Sequence, residues 1–562
     1  MSFMHAWRRS MRPAAVALAA ASIAIASLGS AGGPAVASGP PPGPATVEIQ
    51  LLAFNDFHSA LPPPSGGGGK VFGTPAGGIE YLATWLRERQ AMNPNTLVLS
   101  AGDLIGASPL VSALFHEEPT VEAMNLLGLD YSVVGNHEFD EGASELRRIQ
   151  DGTCHATDGC ATGHLYPGAD FGILAANVLG SDGKPIFPPY AIRTFGGARI
   201  GIIGVVTEHM PEIVAPEKIR GLTVADPTET VNRYAAELRK QGVRTMVVLL
   251  HEGNPASGST VNGCPTLGPW FSSMIAGMDK DVRAVMTGHS HEVYTCVVAG
   301  KVVTSASSHG RVFTRIDMTV DRATGVASTV SATNTIVTRD VTPDPAETVL
   351  FDRYDKLAEP LEDRVIGSTT AAIIRDANAA GESALGDVIA DAQLAATAGA
   401  KVGDAQIAFT NIGGIRADLP AGDVTYGQAY SVQPFGNILQ TFTMTGAQIH
   451  DVLEQQFDNP EPGEARMLQV SDGFTYVWSA VAQDGSHVDP ATIELDGAAI
   501  SPTGTYRVTA NGFLAEGGDG FTAFRNDQPR IGGGTDTAAL VGYIAAHSPV
   551  APGPQDRISA AR

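Results

Sequence analysis

Five short apolar runs in the first half of the chain each end in residues able to bind a cation or carry a proton. Val47–Phe54 leads into Asn55-Asp56-Phe57-His58, and Thr96–Ser100 into Ala101-Gly102-Asp103. Tyr131–Val134 leads into Gly135-Asn136-His137-Glu138-Phe139-Asp140, Thr245–Leu250 into His251-Glu252-Gly253, and Val282–Thr287 into Gly288-His289-Ser290-His291. Apolar runs of this length with little polar alternation predict buried strands. Apolar residues at helical spacing predict helices over Ile79–Met92 and Pro227–Gln241, while the Gly/Pro-rich stretch Leu61–Gly78 predicts a surface loop. Strands alternating with helices give an α/β class. In such sheets ligands gather beyond the carboxyl ends of the strands, so the five polar ends are expected to converge on one pocket.

The chemistry of those ends is specific. Asp56 and His58 are two apart, so in an extended segment both point to the same side. Asp56, His58, Asp103, Asn136, His251, His289 and His291 supply oxygen and nitrogen donors in numbers that suit two divalent cations bridged by a carboxylate. The lack of cysteine among them points to a hydrolytic site open to zinc, manganese or a similar ion, rather than a closed structural zinc site. His137 and Asp140 form a proton-handling pair beside Asn136. His116, His209 and His309 fall outside this set and read as ordinary loop histidines.

Arg8, Arg9 and Arg12 precede an uncharged run from Pro13 to Gly33, and Ala35-Val36-Ala37 offers a small-residue cleavage signature. Residues 1–37 therefore read as a secretory signal peptide, followed by a Pro/Gly-rich tether over 38–45. The mature protein is expected to be secreted, periplasmic or associated with the cell surface, with no membrane span after leader removal. The net charge is −23, and it becomes −26 once those three arginines are removed, which argues against a phosphate-backbone binder, so no nucleic-acid polymer is expected as a partner. In an exported protein Cys154, Cys160, Cys264 and Cys296 favour disulfides. Sequence order suggests Cys154–Cys160 and Cys264–Cys296 among three possible connectivities.

A chain of 562 residues exceeds what one hydrophobic core usually supports, so two domains are expected. The first spans 46–340, a connecting helix 341–364, the second 365–548, and 549–562 form a flexible tail. In the second domain Asn411-Ile412-Gly413-Gly414-Ile415-Arg416 puts an amide, a glycine pair and a cation in one turn. Gln433-Pro434-Phe435-Gly436-Asn437 and Asn511-Gly512-Phe513, with Asp519 further on, place two aromatic rings in polar, Gly-rich settings.

The ordered set Asn55–His58, Gly102-Asp103, Gly135–Glu138, His251-Glu252 and Gly288–His291 resembles the signature of calcineurin-like metallophosphoesterases. Its spacing is similar to that of the 5'-nucleotidase and UDP-sugar hydrolase family. That resemblance implies a four-layer αββα sandwich holding two metals, joined by the connecting helix to a C-terminal α/β 5'-nucleotidase domain. One metal would take Asp56, His58 and His291, the other Asn136, His251 and His289, with Asp103 bridging. It implies release of phosphate from nucleotides by metal-activated water, with His137 as the acid or transition-state stabiliser and Asp140 holding it. Arg416 would meet the phosphate region, Phe435 and Phe513 would sandwich the base, and Asn411, Gly413, Gly414, Asn437 and Asp519 would complete the substrate site. Some members carry further arginines just ahead of the segment matching Glu382–Gly386. Here Asn378-Ala-Ala-Gly381 stands there and only Arg375 lies close upstream. This departure leaves a nucleoside 2',3'-cyclic phosphodiesterase or a UDP-sugar hydrolase as the alternative activity. A nucleotide-binding surface protein without turnover is the non-enzymatic one.

Overall fold

Alternation along the strand Thr46–Phe54 sets the layering of the N-terminal domain. In the computed structural model Leu52 and Phe54 face one way, onto Ile79, Leu82 and Leu86 of the helix Ile79–Met92. Leu51 and Ala53 face the other way, into a core shared with Ile200, Ile202, Val247 and Leu249. The second sheet repeats the device, with Val248 and Leu250 turned outward onto Val231, Leu238 and Phe271 of the helices Pro227–Lys240 and Pro269–Gly277. The order is therefore helices, sheet, sheet, helices, the four-layer arrangement expected. Residues 45–561 are described, apart from 65–68, 161, 215–217, 255–259, 461–463, 483–484 and 526–527. The leader and the first seven residues of the tether, 38–44, lie outside the described residues.

Both sheets of this domain are six-stranded. In the first, Thr46–Phe54, Thr96–Ser100, Tyr131–Val133 and Gly172–Leu174 run parallel, in that order. In the second, Ala198–Val206, Thr245–His251, Val282–Thr287 and Lys301–Ala306 do so. Parallel pairing brings the carboxyl ends of these strands to one edge of the sandwich. Antiparallel strands complete both sheets, and the hairpin Val312–Asp321 with Ala327–Ile336 closes the first. The stretch expected as a loop, Leu61–Gly78, contains the small hairpin Lys70–Val71 with Thr74–Pro75. Disulfides join Cys154 to Cys160 and Cys264 to Cys296.

The connecting helix runs from Pro345 to Glu362, and Asp344 caps it by accepting from the amides of Ala346 and Glu347. Leu350, Tyr354 and Ala358 enter the first domain's core, so the helix is anchored rather than free-standing. Beyond it a five-stranded sheet orders Leu468–Val470, Ile407–Asn411, Thr505–Asn511, Ile438–Thr445 and Ile531–Thr535. Ser383 caps the helix Ala384–Thr397 that covers this sheet. No helix among the described residues is long and apolar enough to cross a membrane.

The segment expected as a flexible tail, 549–562, is anchored in its described part, 549–561. Ile558–Ala560 forms a parallel strand against Tyr476–Trp478. Arg557, 5% exposed, donates to both carboxylate oxygens of Asp391 at 2.7 and 2.9 Å, and its amide donates to Glu382 at 2.9 Å. All these partners are distant in sequence, so local composition gave no sign of the strap. Arg557→Ala keeps the backbone bond to Glu382 but leaves the largely buried carboxylate of Asp391 without its cation. It is expected to destabilise the C-terminal domain by about 2–4 kcal/mol, read as a lower urea midpoint, whereas a loose tail would leave the midpoint unchanged.

Candidate active site

Strand ends deliver every one of the seven expected donors to a single cluster, buried at five of them and half-buried at His289 and His291. The first sheet supplies Asp56, His58, Asp103 and Asn136, and the second supplies His251, His289 and His291. Asp56, His58 and His291 each offer an atom within 4.8 Å of the others, and so do Asp103, His251 and His289. One oxygen of Asp103 lies 3.7 Å from His58 Nε2 and 3.2 Å from His251 Nε2, between the two groups. Asn136 Oδ1 lies 3.2 Å from His251 Nε2. Asp56, His58, Asp103, His289 and His291 all have positive φ, between 48° and 69°. This left-handed backbone is costly for residues with a Cβ, and such strain clusters at functional sites. The glycines before the donors leave them room. A Cβ on Gly135 would stand 2.2 Å from Asp103 Oδ1, and one on Gly102 2.6 Å from His251 Nδ1.

The tautomers show what this cluster is fitted to hold. His58 Nδ1 lies 2.9 Å from the carbonyl of Gly106, and His251 Nδ1 2.8 Å from that of Ala101. A carbonyl only accepts, so a proton sits on Nδ1 and each Nε2 points inward, available to an ion. There His58 Nε2 meets His291 Nε2 at 3.0 Å, and His251 Nε2 meets the oxygens of Asp103 and Asn136. Converging lone pairs repel unless a cation lies among them, so the residues fit two divalent ions.

Burial drives His289 down to about 3 and holds His58 and His291 well below the usual imidazole range. They are therefore neutral, as metal ligation requires. Burial also pushes Asp56 up to about 7. It acts the same way on Asp103, but His251 and His137 outweigh it and hold that carboxyl well below its normal value. Burial would lower His251, yet the charge of Asp103 raises it to about 10, so without an ion this ring also carries a proton on Nε2 toward Asp103, which a bound ion would displace.

His137 stands on a short 3₁₀ turn, and its amide donates to Asp103 Oδ1 at 2.9 Å. Its Nδ1 lies 2.9 Å from Asp140 Oδ2, which also accepts from Ala107 N at 3.1 Å. The carboxylate thus fixes the proton on Nδ1 and frees Nε2 for chemistry. Burial opposes the ring's charge, but Asp140 and Asp103 raise its pKa above the ordinary value.

A cavity of about 910 Å³ lies between the domains. Asn136, His137 and His289 line one side, and Asn411, Gly413, Gly414, Arg416, Phe435, Asn437, Phe513 and Asp519 the other. Phe435 stacks on His137, with ring centroids 5.6 Å apart and an 18° tilt, and the Arg416 guanidinium lies 5.9 Å from the Phe435 ring. Asp519 accepts from Asn411 at 2.8 Å and from Arg466 at 3.1 Å. Arg375 is not among the lining residues. It donates to the carbonyls of Ile415 and Arg416, so it braces the turn that carries Arg416.

Several residues here escaped the sequence reading. Glu138 accepts from the amides of Leu104 and Asp103 at 2.8 and 3.0 Å and pins the bridging loop, although it stands in the motif already quoted. Arg466 carries no local signal. His309 is not an ordinary loop histidine. Its ring lies 5.7 Å from that of His58 and 5.9 Å from that of His291, and its amide donates to Asp56 O, because the chain returns past the site between two strands. His116 likewise lines the cavity.

Residues 49–293 match the family described as calcineurin-like phosphoesterase, and residues 365–526 match 5'-nucleotidase, C-terminal domain. A cell wall protein of Listeria monocytogenes is 35% identical over 89% of this chain and 67% of its own length. An endonuclease of Bacillus subtilis is 33% identical over 84% of this chain, which spans only 37% of that protein. The crystal structure of a 5'-nucleotidase precursor from Thermus thermophilus superposes with a TM-score of 0.76 at 28% identity. It covers 92% of this chain and 99% of that one.

Asp103 faces both ligand groups, so removing its charge should weaken both. Asp103→Asn is expected to lose most bound metal and nearly all hydrolysis, measured as ions per chain after desalting alongside phosphate release. Two retained ions with half the activity would contradict the bridging role.

Proposed function

The chain belongs to the 5'-nucleotidase family, in which a calcineurin-like phosphoesterase domain precedes a 5'-nucleotidase C-terminal domain, and from that membership we propose that it is an exported nucleotidase releasing phosphate from nucleoside monophosphates. Members of this family are metal-dependent phosphoester hydrolases. The observation that carries the proposal is one cavity with His137 on one wall and Arg416, Phe435 and Phe513 on the other. Export is supported by the Arg-led apolar leader and by the likeness to a cell wall protein. We take the two catalytic halves to be 46–340 and 365–548, with the anchored helix between them.

The seven donors would hold the two ions, which supply charge neutralisation at the phosphoryl group and lower the pKa of the attacking water. Arg416 binds the phosphate from the opposite wall. Its burial lowers its pKa, but a guanidinium remains charged at any physiological pH. The nucleoside stacks on Phe513, whose ring lies flat enough against Gly518 that a Cβ there would approach it within 2.5 Å. Asp519, held by Asn411 and Arg466, faces the ribose hydroxyls. His137 Nε2 gives its proton to the leaving oxygen, while Asp140 keeps the ring oriented and its charged form favoured.

The cavity continues past these residues to Ala113, Ile213, Val214 and Lys218, which favours a second reading on bulkier esters. Initial rates on AMP, a nucleoside 2',3'-cyclic phosphate and a UDP-sugar decide between them. A clear preference for either of the latter would overturn the nucleotidase assignment.

His137→Ala should keep its metal content and lose ~10²–10⁴ in kcat, the usual range for a general acid. Asp140→Asn should lose less. Metal depletion in the alanine variant would make His137 a ligand instead.

Phe513→Ala removes a base contact without touching His137, unlike Phe435→Ala. Stacking on an aromatic ring contributes about 1–3 kcal/mol, so kcat/KM for AMP should fall about 5–150-fold. Turnover of bis(p-nitrophenyl) phosphate should change little. Equal losses on both substrates in a folded variant would assign Phe513 to structure alone.

A further inference from the structure

Phe435 and Asn437, both on the cavity wall, stand on a loop whose own sequence does little to hold it. The helix Tyr426–Val432 ends just before this loop, and Gly436 takes left-handed backbone with open space where a Cβ would stand. The strand Ile438–Thr445 begins just after it, beside the edge strand Ile531–Thr535. That edge strand holds three consecutive glycines, Gly532 to Gly534, so it offers the loop almost no side chain to pack against. Phe435 is half-buried and Gly436 exposed. A support this loose would let the Phe435 ring drift from its stack on His137.

The start of the helix Asp536–His547 supplies the missing hold. Asp536, 2% exposed, accepts from Asn437 Nδ2 at 3.1 Å, and its amide donates to the carbonyl of Asn437 at 2.9 Å. Thr537, also buried, donates through Oγ1 to the carbonyl of Gln433 at 2.5 Å. The two residues thus grip the loop at both of its ends. Asp536 Oδ1 accepts from the amide of Thr537 at 2.7 Å, which ties the pair together. The helix behind them is fixed, since Leu540 and Ile544 share a core with Ala429 and Val432. The amide of Arg416 donates to the carbonyl of Val432 at 2.8 Å, so the turn that carries this cation is registered to the same support. Burial pushes Asp536 up to about 6, so at neutral pH its ionised form holds Asn437, and hydrogen bonds to a charged acceptor are the stronger kind.

We propose that Asp536 and Thr537 are positioning residues for the substrate, clamping the loop Gln433–Asn437 so that Phe435 and Asn437 are held where a nucleotide meets them. Among the described residues, neither hydrogen-bonds to any of the seven donors or to His137, so the effect falls on binding rather than on the metal-dependent step. A wall ordered in advance avoids the ordering cost that a loose loop would add on binding. Both residues lie past 526, where the match to the 5'-nucleotidase C-terminal domain ends. The consequence for nucleotides rests on the nucleotidase reading, whereas the clamp itself does not.

The test compares wild type with Asp536→Ala, Asp536→Asn and Thr537→Val. Hydrogen exchange on the free protein reads the clamp without substrate. The amide at 536, bonded to the carbonyl of Asn437, should exchange at least ~10-fold faster in Asp536→Ala, with the helix Ala384–Thr397 unchanged. KM for AMP should rise at least ~5-fold in the same variant, the lower end of what one base stack contributes. Turnover of bis(p-nitrophenyl) phosphate should change little, because this diester carries no nucleoside and p-nitrophenolate leaves without a proton. Asp536→Asn keeps the shape, and Asn437 can turn its amide over to accept from it, so this variant should behave like wild type. Thr537→Val should move exchange and KM the same way by less. Unchanged exchange at 536 in Asp536→Ala would overturn the clamp, and so would an increase spread over the whole C-terminal domain. Faster local exchange with an unchanged KM for AMP would overturn the role in binding. Wild-type protein inactive on AMP would sink the nucleotidase reading and with it the role in binding nucleotide, and the exchange result would still decide the clamp.

Discussion

Lone pairs that would repel one another without a cation are the constraint around which this molecule is organised. His58, His251, His291, Asp103 and Asn136 aim nitrogen and oxygen acceptors into one small space. The backbone carbonyls at Gly106 and Ala101 fix Nδ1 of two of those imidazoles and turn Nε2 inward, bare in His58 and protonated toward Asp103 in His251 until an ion displaces that proton. Folding must therefore supply the energy to assemble the cluster before any ion stabilises it. The supply comes from two extensively buried sheets, whose shared core lies directly behind the strand ends that carry the ligands. The left-handed backbone at five of the donors is a further local cost offset by that packing.

From this cluster the rest of the site follows in steps. The amide of His137 donates to the same carboxylate that stands between the two donor groups, so the ring proposed as the proton donor is registered to the centre by one hydrogen bond. Phe435 of the second domain then stacks on His137. The two domains thus meet at the His137 ring, with the anchored helix Pro345–Glu362 covering the first domain beside them. A substrate filling the cavity would touch groups from both halves, and on the proposed function that would couple recognition of the nucleoside to the geometry of the phosphate.

What could be read from residue order was whatever repeats locally. Apolar runs ending in Asp, Asn or His gave the strands, their buried character and the donor set, because a parallel strand needs a continuous apolar stretch and its ligand must follow at once. Helix limits at Ile79 and Met92 came from spacing alone. The flexible-tail reading of 549–562 failed for the converse reason, since Arg557 and Ile558 find their partners more than 80 residues away. Arg466 and His309 belong to the same class, for each is placed by a chain return that local composition does not record.

The sequence by itself determined the chemistry of this protein, namely which atoms could bind ions, which pair could move a proton and which strands would present them. Charge, donor type and apolar period are properties of neighbouring residues. Only the tertiary structure decided which donors face one another, that Asp103 lies between both groups, that Arg375 braces its neighbours' carbonyls, and that Asp536 meets Asn437. Those are distances between segments far apart in the chain. They are set by how two sheets and two domains pack, and side-chain packing of that kind leaves no periodic trace along the sequence.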